Sequence, residues 1–102
     1  MRLTEKELVI IRKTFHECFS ESDHLWLFGS RVDDSKRGGD IDFYVETTEK
    51  NTSNAVAKRL AFIITLKQLL GDQKIDVVLN QLTLNRPLSI YQEAKKTGVQ
   101  LI

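Results

Sequence analysis

Apolar residues recur at steps of three and four from Leu8 through Ile11 and Phe15 to Cys18, which predicts one buried face of a helix. Thr4 and Glu7 stand in front of this run as a capping box, each side chain placed to satisfy the other's free N–H group. Glu21-Ser22-Asp23 ends the helix. His24 to Phe28 is a short, nearly continuous apolar run closed by Gly29-Ser30, the pattern of a buried strand. A polar segment runs from Arg31 to Gly39. Asp40-Ile41-Asp42-Phe43-Tyr44-Val45-Glu46 then alternates with period two and predicts a second strand. The 29–39 connection is short for a parallel crossover, so these two strands are expected to pair antiparallel.

Thr47 to Ser53 is a polar loop. Residues 54–70 predict a long helix, closed by Gly71 as its C-terminal cap. Leu60-Ala61-Phe62-Ile63-Ile64 suits helix or strand by itself, but the length of the segment and its Ala, Lys, Arg and Gln content favour helix. Apolar residues take more than half of its girth, which predicts burial on two sides. Residues 74–80 predict a third strand. Strand, helix and strand in succession imply a right-handed crossover, with the second and third strands parallel. After Pro87, residues 88–96 predict a last helix capped by Gly98, followed by an apolar tail from Val99 to Ile102. The order α-β-β-α-β-α predicts an α/β (α+β) domain over residues 1–102. Its core is a small mixed sheet of about three strands flanked by helices.

Composition narrows the function. Fifteen Lys and Arg against fourteen Asp and Glu leave a net charge of +1. That excludes an electrostatically driven nucleic-acid or membrane binder, which needs a basic surplus. No apolar stretch approaches the roughly 18–20 residues that span a bilayer. The charged start, Met1 to Glu7, does not suit a signal peptide. A single cysteine excludes an internal disulfide and a four-cysteine zinc site, and it fits a reducing cytoplasm. With 102 residues there is little room for a separate substrate domain, so any enzyme here is a minimal one.

Three acids stand out by placement. Side chains alternate faces along a strand, so Asp40 and Asp42 share one face with Tyr44 and Glu46, while Ile41, Phe43 and Val45 face the core. On the third strand Ile75, Val77 and Leu79 form one face and Asp76 lies on the other. An acid in mid-strand is costly unless it is paired, hydrated or metal-bound. If the two strands are neighbours, the three carboxylates converge and repel. Either one is protonated or a divalent cation sits between them. Hard oxygen ligands on rigid strands suit Mg²⁺ or Mn²⁺. Two such ions can clamp an in-line phosphoryl displacement, with Asp40 and Asp42 ligating both, and Asp76 ligating one and taking the proton of the attacking hydroxyl. Gly29-Ser30, directly after a buried strand, can aim backbone N–H groups and a hydroxyl at phosphate oxygens, and Arg31 can add charge to the same phosphates.

Taken singly, a D-x-D pair is ordinarily a solvated pair on an edge strand and a Gly-Ser after a strand is ordinarily a turn; the conjunction is what points to chemistry. Competing motifs fail. No Gly-Lys-Ser/Thr follows Gly29, so there is no P-loop. An EF-hand loop from Asp33 would put Arg37 and Tyr44 at ligand positions. His16 and Cys18 diverge on a helix.

Leu27-Phe28-Gly29-Ser30-Arg31, then Gly39-Asp40-Ile41-Asp42-Phe43-Tyr44-Val45, then Ile75-Asp76-Val77-Val78 resemble the minimal nucleotidyltransferase family of the DNA polymerase beta-like nucleotidyltransferase superfamily. Pro87-Leu88 through Gly98-Val99 is similar to that family's tail. Two features depart from the pattern: the segment between Ser30 and Asp40 is one residue shorter than is common, and Gly39 stands where a serine often precedes the first acid. The resemblance implies the nucleotidyltransferase fold, dependence on Mg²⁺ (or Mn²⁺), and transfer of a nucleoside monophosphate from a nucleoside triphosphate, AMP from ATP, with release of pyrophosphate. By position, Gly29 and Ser30 would hold the triphosphate, Asp40 and Asp42 the metal, and Asp76 would be the third carboxylate. It also implies a HEPN-domain protein as partner, with this chain as the antitoxin that adenylylates it. The broad apolar face of the 54–70 helix and the tail Val99 to Ile102 are the candidate contacts. A non-catalytic antitoxin acting by contact and a transferase for small molecules are the alternatives.

Overall fold

Helix α1 (Glu5–Cys18) starts at its predicted capping box. The Thr4 hydroxyl accepts the Glu7 N–H at 3.1 Å, and the Glu7 carboxylate accepts the Thr4 N–H at 3.0 Å. The computed structural model describes residues 3–29, 40–71 and 73–102. Strands β1 (His24–Phe28) and β2 (Ile41–Thr47) pair antiparallel, and β2 pairs parallel with β3 (Ile75–Gln81). Helix α2 (Thr52–Leu70) joins these last two. A 3-10 turn (Leu82–Leu84) leads toward α3 (Ser89–Thr97).

The expected sheet of about three strands gains a fourth. Val99–Gln100 forms β4, antiparallel to β1, and the order is β3-β2-β1-β4. Two residues are too few for a period to show in a sequence. Their strand character comes from β1, whose Leu25 carbonyl accepts the N–H groups of Leu101 (2.8 Å) and Ile102 (3.2 Å). The architecture is a mixed α+β domain, a four-stranded mixed sheet with three helices. No helix among the described residues is long and apolar enough to cross a membrane.

Period two sorts the sheet into two faces. Leu25, Leu27, Ile41, Phe43, Val45 and Ile75 are buried with Leu8, Ile11 and Phe15 of α1 and Phe62 and Leu66 of α2. Phe62 is the hub, with T-shaped contacts to Phe15 (5.7 Å), Phe19 (6.0 Å) and Phe43 (5.5 Å). The opposite face carries Trp26 and Tyr44, buried beneath Ala94 and packed with Phe28, Val78 and Tyr91. Helix α3 covers only this middle part of the second face.

Two expectations about helices change. Helix α2 starts at Thr52 because Asn51 caps it, its side chain accepting the Asn54 N–H at 3.0 Å. It is buried along one side, at Ala55, Phe62 and Leu66, and not on two; Val56, Leu60, Ile64 and Leu69 are exposed. Its inner side meets α1 and the sheet, and no described element covers the outer one. Gly71 ends α2 with φ +90°, as a glycine cap should. Gly98 caps α3 as expected, its N–H donating to the Ala94 carbonyl at 2.9 Å, and it meets a second need. Its φ is ordinary, but a Cβ there would collide with the Ala94 carbonyl and lie 2.7 Å from the Leu27 carbonyl. The end of α3 is thereby pressed against the end of β1.

Asp23 ties the α1–β1 turn to the end of β2. Its buried carboxylate accepts the Ser20 N–H (3.0 Å), the Thr47 hydroxyl (3.1 Å), and the Thr48 N–H (2.8 Å) and hydroxyl (3.1 Å). Burial disfavours the charge, but the hydrogen bonds from Thr48, Ser20 and Thr47 outweigh it and hold this carboxyl below its ordinary range. The stability it contributes is complete above the ordinary carboxyl pKa and is lost as pH falls through the lowered one. Asp23→Ala leaves several donors unpaired and is expected to cost about 1.5–3 kcal/mol in urea unfolding at neutral pH, with a shallower acid limb than the parent.

Candidate active site

β2 is central, and its register with both neighbours builds the site. Asp42 lies opposite Phe28 of β1 and opposite Asp76 of β3. Residues in register share a face, so both carboxylates lie on the α3 side of the sheet, beyond the part that α3 covers. Burial of Ile41 and Phe43, and of Ile75, on the other face compels this placement.

The turn after β1 closes on the same spot. Gly29 has φ +79°, and a Cβ there would run into Asp42 Oδ2 and lie 3.1 Å from its Cγ. Only a glycine lets the backbone pass so close to that carboxylate. Ser30 and Arg31, the other expected phosphate ligands, lie outside the described residues. Asp40 is exposed, just ahead of β2.

The electrostatics are those of crowded like charges. Asp42 is half-buried, and burial raises its carboxyl above the ordinary range; repulsion by Asp76 and Asp40 raises it further, while Lys74 opposes the rise. Lys74 Nζ lies 3.9 Å from Asp76 Oδ2. Asp42 and Asp76 are thus brought side by side and Asp40 acts on Asp42 from the strand entrance. Among the described residues no three acidic, imidazole or thiol groups are gathered closely enough to hold one metal ion. The donor chemistry nonetheless suits a hard divalent cation: two carboxylates on rigid neighbouring strands, one half-buried and repelled by the others.

Tyr44 and Glu46 share the acids' face as expected, but α3 covers that part of it. Tyr44 is fully buried under α3; its hydroxyl donates to Glu46 at 2.8 Å and accepts from the Asn80 amide at 2.9 Å. Burial, chiefly, raises the Tyr44 hydroxyl above its ordinary range. Lys95 pairs with Glu46 at 3.2 Å and lies 5.2 Å above the Trp26 ring. These groups anchor α3 and leave the Asp42–Asp76 corner as the acidic end. His24 is exposed at the far end of β1, beside the Ile102 carbonyl, and Cys18 packs half-buried against the main core. Lys74 is the site residue that motif reasoning passed over. Its signal was its position two residues before Asp76 on the same strand face.

No protein-family model and no curated protein sequence matches the chain.

Two outcomes follow from this geometry. Gly29→Ala is expected to cost about 1–3 kcal/mol in thermal unfolding, since it meets both the positive φ and the Asp42 carboxylate. Because the Asp42 carboxyl is raised, the folded chain holds its proton to higher pH than the unfolded one, and stability falls as pH rises from the ordinary carboxyl range through the raised value. Asp42→Asn should abolish that fall, read as a flatter pH dependence of the urea midpoint.

Proposed function

We propose that this chain is a nucleotidyltransferase of the minimal type that its motifs resemble, moving AMP from ATP to a hydroxyl of a partner protein. The observation that carries the reading is the register of Asp42 with Asp76 on neighbouring parallel strands, facing the Gly29 turn. Asp40 and Asp42 are the residues that would hold Mg²⁺ or Mn²⁺, with water and phosphate oxygens completing the coordination. When bound, the ion supplies positive charge to the α-phosphate and to the departing pyrophosphate.

The remaining work belongs to the chain. The close backbone at Gly29 lets a triphosphate approach the acids, and Ser30 and Arg31 follow it in sequence to bind the phosphates. Asp76 takes the proton from the acceptor hydroxyl as its oxygen forms a bond to the α-phosphorus. The bond between that phosphorus and the bridging oxygen of pyrophosphate breaks, and pyrophosphate carries the electron pair away. The acceptor we propose is a HEPN-domain protein. The exposed row Val56, Leu60 and Ile64 on α2 supports a protein partner, since a contiguous apolar strip is a recurrent mark of a docking surface. A reducing compartment, the cytoplasm, suits a chain whose one cysteine is free.

That same strip favours a second reading, an antitoxin that neutralises its partner by contact alone. Incubation of the pair with ATP and Mg²⁺ separates the two by intact mass. Transfer adds whole AMP units to the partner; contact inhibits it with no added mass. Asp42→Asn is expected to lower labelled-nucleotide incorporation by on the order of 10²–10³-fold or more with the fold retained by circular dichroism. Full incorporation by that variant overturns the assignment of Asp42.

A further inference from the structure

Lys74 occupies a position that the three-acid scheme leaves without a task. Its carbonyl accepts the Ile41 N–H at 2.9 Å, so its backbone is pinned to the start of β2, between Asp40 and Asp42 in sequence. Continued by one residue, the β2–β3 register sets Lys74 opposite Asp40, as Asp76 is set opposite Asp42. The corner is then a rectangle of charges: Asp42 on β2 with Asp40 just ahead of it, and Asp76 on β3 with Lys74 just ahead of it. The ammonium lies 3.9 Å from Asp76, and the two side chains are 67% and 56% exposed. An ion pair this long and this open is weakly held and easily exchanged. The lysine has a flexible stem and three rotatable donors, suited to meeting one anion and then another.

We infer that Lys74 is the resident counter-cation of the acidic corner and that it exchanges Asp76 for the phosphates when a metal–triphosphate complex arrives, so that the site prefers that complex over the bare metal ion. The inference rests on the nucleotidyltransferase reading. The physical basis is the opposite sign of the two ligands. A free divalent ion is positive, and a neighbouring ammonium repels it. A divalent ion already bound to a nucleoside triphosphate belongs to a complex of net negative charge, and the same ammonium attracts it. One residue therefore lowers affinity for the first and raises affinity for the second. A lysine that only braced the fold would do neither.

The test uses the full chain with Lys74→Met and Lys74→Arg, both at an exposed side chain outside the core. Titration calorimetry gives affinity for Mn²⁺ alone, and for a non-transferable α,β-methylene ATP analogue in the presence of Mg²⁺. Lys74→Met is expected to tighten Mn²⁺ by about three- to tenfold at low salt and to weaken the analogue by about tenfold, with both effects shrinking as ionic strength rises. Lys74→Arg, which keeps the charge, should stay within about twofold of the parent in both. Unchanged or weaker Mn²⁺ binding by Lys74→Met, or an unchanged affinity for the analogue, overturns the inference. Asp42→Asn separates the two levels. If it loses Mn²⁺ while Lys74→Met behaves as the parent, the Lys74 role alone fails. If it binds Mn²⁺ as the parent does, the metal-site reading fails and takes the Lys74 role with it.

Discussion

The repulsion between Asp42 and Asp76 is built in by the packing of the opposite side of the sheet. β2 and β3 lie parallel with Ile41, Phe43 and Val45 in register with Ile75, Val77 and Leu79. A shift of one residue would turn that whole apolar set out of the core and toward α3. The hydrophobic free energy of several large side chains thus sets the strand register, and two like charges on the reverse must accept the distance that results. The cost of holding them together is borne by the core. A rigid scaffold thus keeps the two groups in an arrangement they would not choose.

Much of this could be read from residue order. Period two separated the core side of β2 from its acidic side, and the strand–helix–strand order made β2 and β3 parallel, so the neighbouring acids were foreseeable before any coordinates. Both signals are local or nearly so. What escaped was set by long-range partners. β4 is a strand only because β1 offers it an edge. The outer side of α2 carries as many apolar residues as the inner side, and nothing in the helix itself says which one meets the sheet. Gly98 caps α3 as its place in the sequence suggests, but the lack of room for a Cβ between the ends of α3 and β1 shows only in the fold. Tyr44 shares the acids' face by alternation, yet α3 removes it from solvent, an outcome decided by where a helix fifty residues further along comes to rest.

The second face is therefore divided by charge as well as by cover. Its middle is a closed structural patch, where Tyr44, Asn80, Glu46 and Lys95 satisfy one another beneath and beside α3. Its corner is open, and its acids outnumber the one lysine beside them. Buried polar groups that pair among themselves rigidify the support of a site without taking part in it. The acids next to such a patch are held by neighbours that have little freedom to yield.

The chain's one tryptophan lies under α3, apart from the phenylalanine cluster that binds α1 and α2 to the other side. Trp26 is buried against Tyr44, with the Lys95 ammonium over its ring. Intrinsic fluorescence therefore views the protein from one side only. Lifting of α3 would wet the indole and redden its emission while the helical ellipticity of α1 and α2 stayed intact, so optical melting and far-ultraviolet dichroism are two separate clocks for two halves of one small domain.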